Sequence, residues 1–146
     1  MISSPLNGFL RSLPVKTWLS HDLTLAVHRF GQRNERREIA HGEGLILAAG
    51  LQNSQSLSLR ISPDNITSIP SMLYGVVAVY NPSFQDLIIH TATIVDLEPK
   101  PRVAFGIMTT PGIHIVDIQK HLLEEAARGF STYLFSPETI EQLLLV

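Results

Sequence analysis

The sequence predicts a mainly β domain, an antiparallel β-sandwich or β-barrel of the jelly-roll or dUTPase-like kind that ends in two short helices. Three observations support this fold class. Apolar residues alternate with polar residues over several stretches, which is typical of strands with one buried face. Glycine, proline and asparagine separate these stretches at turn-like positions. Near the C-terminus, apolar residues recur at helical spacing and are accompanied by helix start and stop signals.

The composition indicates one globular core. Hydrophobic residues make up 45% and charged residues 16% of the 146 residues, a folding composition at an ordinary domain size. The formal net charge is -2, whereas nucleic-acid-binding domains usually carry a basic excess, so nucleic acid is not the expected partner. Because the chain has no cysteine, it can form no disulfide and offers no thiolate for catalysis or zinc binding.

The N-terminal residues are predicted to form an arm over 1–14. This segment has neither a basic start followed by an apolar run nor any other mark of a secretory signal. No part of the sequence approaches the ~18 apolar residues that a membrane span requires. We therefore expect an intracellular protein, most simply a cytoplasmic one, with no membrane span.

Residues 15–116 are predicted to form the β-rich core. Val, Ile, Thr and Tyr are frequent in the predicted strands, as strand propensity favours. The polar segment 31–38 is interpreted as an exposed hairpin tip. The predicted strands cover residues 18–29, 45–49, 57–61, 72–80, 86–97, 103–108 and 113–116. The side chains expected to be buried on their apolar faces are Leu57, Leu59, Val77, Val79, Ile89 and Ile94.

Residues 117–146 are predicted to form a helical tail that packs on the core or on a partner. Asp117 can cap a helix that stops at Gly129. Ser136 followed by Pro137 marks the start of a second helix. That helix ends in consecutive apolar residues, which either pack on the sheet or bind a partner. The candidate partner-binding residues here are Leu143, Leu144 and Leu145.

Four polar residues are candidates for ligand binding. His41 and Glu43 lie in a glycine-rich segment that allows close approach of a ligand, but one imidazole and one carboxylate are too few to hold a metal. Asp86 and His90 have even spacing on one strand, which would place an acid–base pair on one face. A turn between strands and an edge-exposed histidine are the respective structural alternatives. No catalytic residue, metal or cofactor is predicted.

A basic cluster is the other candidate for partner binding. This cluster can bind phosphate or an acidic partner and consists of Arg33, Arg36 and Arg37. The alternative interpretation is a solvated loop tip. His114 and His121 lie in different predicted elements, and their positions in the sequence indicate no specific site.

Two stretches are similar to parts of a known family. The run 75–83 followed by 87–99 resembles a β-hairpin of the small barrel between protease and reverse transcriptase in gypsy-type retroelement polyproteins. The tail, over 117–129 and 136–144, resembles the helical linker that follows that barrel. More distantly, 42–51 and the same hairpin resemble dUTPase-like barrels, without their uridine-binding hairpin and glycine-rich phosphate tail. The resemblance implies a barrel fold and no nucleotide hydrolysis.

These observations favour a non-enzymatic protein-interaction or assembly module, such as a viral or retroelement structural protein, that binds itself or another protein. One alternative is a nucleotide-processing enzyme or small-ligand binder on a dUTPase-like or jelly-roll barrel, with its pocket near His41, His90 or Asp86. Another is a nucleic-acid-binding coat or matrix protein that uses the arginine cluster. The sequence contains no known catalytic motif, which favours the non-enzymatic interpretation.

Overall fold

The computed structural model describes residues 2–13, 20–36, 39–40, 42–65, 72–107, 109–110 and 112–145. Three helices come first in the chain, and strands dominate the rest. The helices are α1 (Ser4–Ser12), α2 (Ser20–Arg33), α3 (Glu43–Gln52), α4 (Ile118–Ala127) and α5 (Pro137–Leu144). The strands are β1 (Leu59–Ile61), β2 (Val76–Asn81), β3 (Leu87–Asp96), β4 (Arg102–Gly106), β5 (Ile113–Asp117) and β6 (Ser131–Phe135).

The strands form one six-stranded antiparallel sheet in the order β1-β6-β2-β3-β4-β5. This order makes β5 and β6 parallel, so α4 crosses one face of the sheet to connect them. The predicted antiparallel sheet and the helices at the C-terminus are confirmed. The sheet is open rather than a closed barrel, and helices account for 45% of the structure against 27% for strands. The prediction of a mainly β chain is therefore correct only in part, and a barrel is not formed.

Helices cover both faces of the sheet. On the face that we call the four-helix face, α1, α2, α3 and α5 bury an apolar core together with β2 and β6. On the opposite face, the α4 face, Ile118 and Leu122 of α4 pack against Val77, Ile94 and Phe105. Among the described residues, no helix combines the length and the apolar character that a membrane crossing needs.

The strands predicted over 18–29 and 45–49 are wrong, because the described residues there belong to α2 and α3. In α2 the buried residues Leu23, Val27 and Phe30 have helical spacing. The buried residues Leu23, Leu25 and Val27 alternate along the chain, so the pattern fits both structures. In α3 the run consists of Leu, Ile, Ala and Gly without Val or Thr, and Leu and Ala favour helices. The predicted hairpin tip is also wrong at its start, since α2 continues to Arg33.

The predicted core residues are buried at the centre of the sheet and exposed at its edge. Val77, Val79 and Ile94 are buried, as predicted. Leu59 is 45% exposed because β1 is a three-residue edge strand. Leu57 is 57% exposed and ends a short 3-10 helix before that strand. Ile89 is half-buried. Strand β6, which pairs with both β1 and β2, was not predicted at all.

A serine of α2 completes the sheet where β3 and β4 part. Pairing of β3 with β4 starts at Thr93 opposite Ala104, whereas β3 pairs with β2 from Leu87 onward. At Thr91 the backbone N–H donates to Oγ of Ser20 at 2.7 Å, and that hydroxyl donates to the Thr91 carbonyl at 2.9 Å. Both backbone groups of a strand residue point to the same side, so Ser20 occupies the place of a strand partner.

Ser20→Ala should destabilise the fold by on the order of 1–3 kcal/mol, because it leaves the N–H of the fully buried Thr91 without this partner. The free energy of unfolding in urea measures the effect. Ser12→Ala is the matched control: its hydroxyl donates to the Phe9 carbonyl at 2.7 Å on the exposed side of α1. We expect a change below about 0.5 kcal/mol for the control. Equal effects of the two substitutions would contradict the bridging role of Ser20.

A candidate ligand pocket between the sheet and helix α4

Neighbouring strands each place an aromatic ring on the α4 face. Phe105 of β4 lies opposite His114 of β5 in the strand register, with 5.6 Å between the ring centroids. His90 of β3 approaches Phe105 from the other side, and its ring centroid lies 5.0 Å from that of Phe105. Phe105 is therefore flanked by an imidazole on each adjacent strand.

Helix α4 adds a third imidazole to this cluster. The ring of His121 lies 5.2 Å from Phe105 and 5.4 Å from His90, measured between centroids. His121 follows Ile118 by three residues and precedes Leu122, so it shares the apolar face of α4 that packs on the sheet. The side chain of Asp117 fixes the start of this helix by accepting a hydrogen bond of 2.7 Å from the N–H of Gln119.

A cavity of about 450 Å³ lies beside these rings, between α4 and the strands. We call it the histidine pocket, after His90 and His114 in its wall. Its apolar wall consists of Phe105 with Ile89, Ile107, Val116 and Phe130. The charged side chains around it come from α4 and its C-terminal end and are Lys120, Glu124, Glu125 and Arg128.

Buried imidazole nitrogens in the wall and next to it have no protein partner. His90 lines the cavity, and the buried His121 packs against His90. Among the described residues, no hydrogen bond is made by Nε2 of His90 or by either ring nitrogen of His121. Nε2 of His121 lies 3.9 Å from Oε1 of Glu125, which is too far for a direct hydrogen bond. Unpaired buried polar groups are rare in native proteins and cost about 1–3 kcal/mol each. These atoms are therefore candidates for hydrogen bonds to a ligand.

Burial disfavours the charged forms of the titratable groups at the inner side of the pocket. It lowers the pKa of His90 to about 3, and the neighbouring His121 adds to the effect. It also lowers the pKa of His121 to about 4, with a further contribution from the charge of Arg128. Burial raises the pKa of the Glu125 carboxyl group, against the opposing effect of Arg128. Each neutral imidazole carries one donor and one acceptor nitrogen, so the wall provides both.

The charges around the pocket balance one another. Lys120 and Glu124 have the i,i+4 spacing that brings side chains together on a helix surface. Nη1 of Arg128 lies 3.5 Å from Oε1 of Glu125. Within the described part of the chain, no group of three His, Asp or Glu side chains could hold a metal ion. The arrangement therefore fits an organic ligand better than a metal.

Of the four predicted ligand residues, the structure places His90 in this pocket. Glu43 lies on the four-helix side, where Oε2 accepts hydrogen bonds from Arg29 at 3.2 Å and from the N–H of Ala40 at 3.0 Å. This pairing holds α3 against α2. His41 lies outside the described residues.

Asp86 and His90 were predicted to share one face of a strand. They do not, because Asp86 precedes β3 and because β3 contains a bulge between Ile88 and His90. Val79 pairs with His90, but the next residue, Tyr80, pairs with Ile88, so one residue of β3 is extra. Ile88 consequently packs on the four-helix core while His90 faces α4. Asp86 lies in the exposed turn before the strand, and its carbonyl accepts a 2.7 Å hydrogen bond from Gln52 of α3.

The arginine cluster is partly engaged within the chain. Arg33 contacts Oε2 of Glu141 on α5 through Nη2 at 2.7 Å and Nε at 3.1 Å. Oε1 of the same carboxylate accepts a 3.0 Å hydrogen bond from Nε2 of the fully buried His28. The guanidinium group of Arg36 lies 5.5 Å from the ring centroid of Phe30. Arg37 lies outside the described residues.

The C-terminal leucines divide between core and surface. Leu143 and Leu144 pack against the four-helix core, next to the fully buried Ile140. Leu145 is 76% exposed. The polar bonds from Arg33 and His28 attach α5 to α2, and the apolar packing attaches α5 to the four-helix core of its own chain.

Sequence reasoning missed most of the pocket. His114, His121, Glu125 and Arg128 were not among the predicted site residues. One signal was available, since His121 belongs to the apolar face of α4 together with Ile118 and Leu122. A histidine in such a face must be buried, and a buried imidazole needs a partner or a function.

Comparison with protein-family models, with curated proteins and with solved structures found no match for this chain. The functional interpretation therefore depends on the geometry and electrostatics of the pocket.

His121→Leu should reduce the loss of stability in mild acid. An unfolded histidine binds a proton below about pH 6.5, whereas folded His121 has a pKa of about 4. As the pH falls from about 6.5 towards 4, the unfolded state gains a proton that the folded state excludes, so stability falls. Without this imidazole, the loss of unfolding free energy between about pH 7 and pH 5 should be smaller by on the order of 1–2 kcal/mol.

Urea unfolding of both proteins across this pH range measures the difference. His90, Glu125 and Arg128 surround residue 121 in both proteins, so the comparison isolates the imidazole of His121. Above about pH 7 the two profiles should run parallel, because this histidine is then neutral in both states. Parallel profiles over the acid range as well would contradict the buried, uncharged state of His121.

Proposed function

We propose that the protein binds a small organic molecule in the histidine pocket. The observation that carries the proposal is the unpartnered Nε2 of His90 in the wall of a cavity of about 450 Å³. The buried His121, whose two ring nitrogens are also unpartnered, packs against His90. Cavities of about 300–1,000 Å³ with apolar walls and a few convergent polar groups are typical of ligand sites. In this proposal the chain is a binding module, and no catalytic step is assigned to it.

The cost of the arrangement supports a functional role. An apolar side chain in place of His121 would fill the same space without burying unpaired nitrogens. The strongly lowered pKa values of His90 and His121 also occur together, beside a cavity, as in many functional sites. His90 is half-buried and lines the pocket, and the broad torsion about its Cβ–Cγ bond allows the ring to turn a nitrogen towards a ligand.

Ligand binding can be tested with three naphthalene probes that differ in charge: 2-naphthol, 2-naphthoate and 2-naphthylmethylammonium. At ~1 mM, at least one probe should shift the imidazole NMR signals of His90 and His114. His28 is the internal control, because it lies on the four-helix face and its signals should stay in place. His121→Leu should weaken binding without unfolding the protein. If no probe shifts the pocket signals, or if His28 shifts equally, the proposal is wrong.

A second candidate function is self-association through α3, in keeping with the interaction module that the sequence favours. Between Glu43 and Gln52 this helix carries only apolar residues and glycine, yet Leu45 and Ile46 are 66% and 61% exposed. A helix that is apolar all round is usually buried. The sequence favours self-association, and we propose a second copy of the chain as the occupant of this apolar face, related by a two-fold axis.

Leu45→Glu should convert such a dimer to monomer, because it would place two carboxylates in an apolar interface. Light scattering at micromolar concentration should give twice the mass of one chain for the unmodified protein and the mass of one chain for the variant. Leu123→Glu is the matched control, since Leu123 is a 53% exposed leucine on α4. It should leave the mass unchanged. A monomeric mass for the unmodified protein at every concentration would rule out this surface.

A further inference from the structure

We propose that the histidine pocket selects an uncharged, flat aromatic molecule that carries a hydrogen-bonding group on its edge. This inference rests on the proposed function and adds the chemical class of the ligand. It follows from the shape of the wall, from the balance of charges around it and from the polar atoms that the protein leaves unpaired.

The aromatic rings of the wall favour a flat occupant. Phe105 lies at the centre, with His90 and His114 beside it on the adjacent strands, and Phe130 lines the cavity as well. Aromatic rings pack on one another by offset stacking or edge-to-face contact, which adds to the gain from apolar burial. An aromatic ligand can make both kinds of contact here, because the ring of His90 stands at 84° to that of Phe105, whereas that of His114 lies at 22° to it.

The charges of the pocket do not favour an ion of either sign. Each cation has a carboxylate nearby: Glu124 follows Lys120 by one helical turn, and Glu125 lies 3.5 Å from Arg128. Burial lowers the pKa of His90 and His121 and raises that of Glu125, so the environment disfavours both positive and negative charge at the inner wall. A charged ligand would meet the same desolvation cost.

The unpaired imidazoles favour a ligand with a hydrogen-bonding edge over a plain hydrocarbon. Neutral His90 lines the cavity and has one donor and one acceptor nitrogen, of which Nε2 is unpaired. The carboxyl group of Glu125 lies 3.9 Å from Nε2 of His121 and lines the cavity. A site with buried polar groups discriminates against analogues that cannot pair with them. A hydroxyl, lactam or ring-nitrogen edge would meet this requirement.

Calorimetric titration of the 146-residue chain with four probes tests the inference. The probes share the naphthalene ring: 2-naphthol is neutral with a donor, 2-methoxynaphthalene is neutral without one, 2-naphthoate is anionic and 2-naphthylmethylammonium is cationic. We expect 2-naphthol to bind about tenfold more tightly than either charged probe, and several-fold more tightly than 2-methoxynaphthalene.

A charge variant sharpens the same experiment. Glu124→Gln removes the carboxylate that lies one helical turn from Lys120, and it should improve the affinity for 2-naphthoate several-fold relative to that for 2-naphthol. The control is Glu98→Gln, an exposed acid in the segment between β3 and β4, which should change neither affinity.

The outcomes separate this inference from the proposed function. If a charged probe binds as tightly as 2-naphthol, or if 2-methoxynaphthalene does, the ligand class is wrong while the pocket remains a binding site. If no probe binds, the proposed function fails and the inference fails with it. Gain of naphthoate affinity in the Glu98→Gln control would show that overall charge, rather than the pocket, sets the preference.

Discussion

The hydroxyl group of Ser20 on α2 allows one edge of β3 to pair with β4 at one end and with α2 at the other. From Leu87 onward, β3 pairs with β2. Its pairing with β4 starts only at Thr93. Ser20 bonds both backbone groups of Thr91 there, and the Thr91 hydroxyl donates to Oγ1 of the buried Thr24 at 2.9 Å. These bonds satisfy the backbone where the ladder stops, so β3 and β4 can part without leaving buried polar groups unpaired. They also fix the start of α2 on the sheet.

The bulge in β3 lies close to this point and decides which face receives His90. Without the extra residue, Ile88 and His90 would point to the same side of the sheet. With it, Ile88 completes the four-helix core and His90 joins Phe105 and His121 under α4. Bulges often lie next to functional sites because they re-aim a side chain. The place of His90 in the pocket therefore depends on the bulge in β3.

The parts of the fold that could be predicted are those with a local signal. The Val-rich segment of β2 and the cap residues Asp117 and Ser136 specify their elements from neighbouring residues alone. The apolar pattern of α2 fits both the two-residue period of a strand and the 3.6-residue period of a helix, and only packing against the sheet selects the helix. His90 was found as a polar residue in a strand, but its face depends on a bulge that the sequence does not mark. The ring contacts between His90, Phe105 and His121 join residues far apart in the chain, so no spacing could reveal them.

The two faces of the sheet differ in how their buried histidines are satisfied. On the four-helix face, Nε2 of His28 bonds Glu141, and Arg33 binds the same carboxylate, so one nitrogen of this imidazole is paired with a carboxylate of the chain. On the α4 face, His121 is equally buried, but Glu125 is the nearest carboxylate recorded for it and lies beyond hydrogen-bond distance. One buried histidine, His28, therefore helps to attach α5 to the core, whereas the other, His121, remains unpaired near the cavity. Since one chain contains both arrangements, the unpaired state is not a general property of its buried histidines, which favours a role for the α4 face beyond stability.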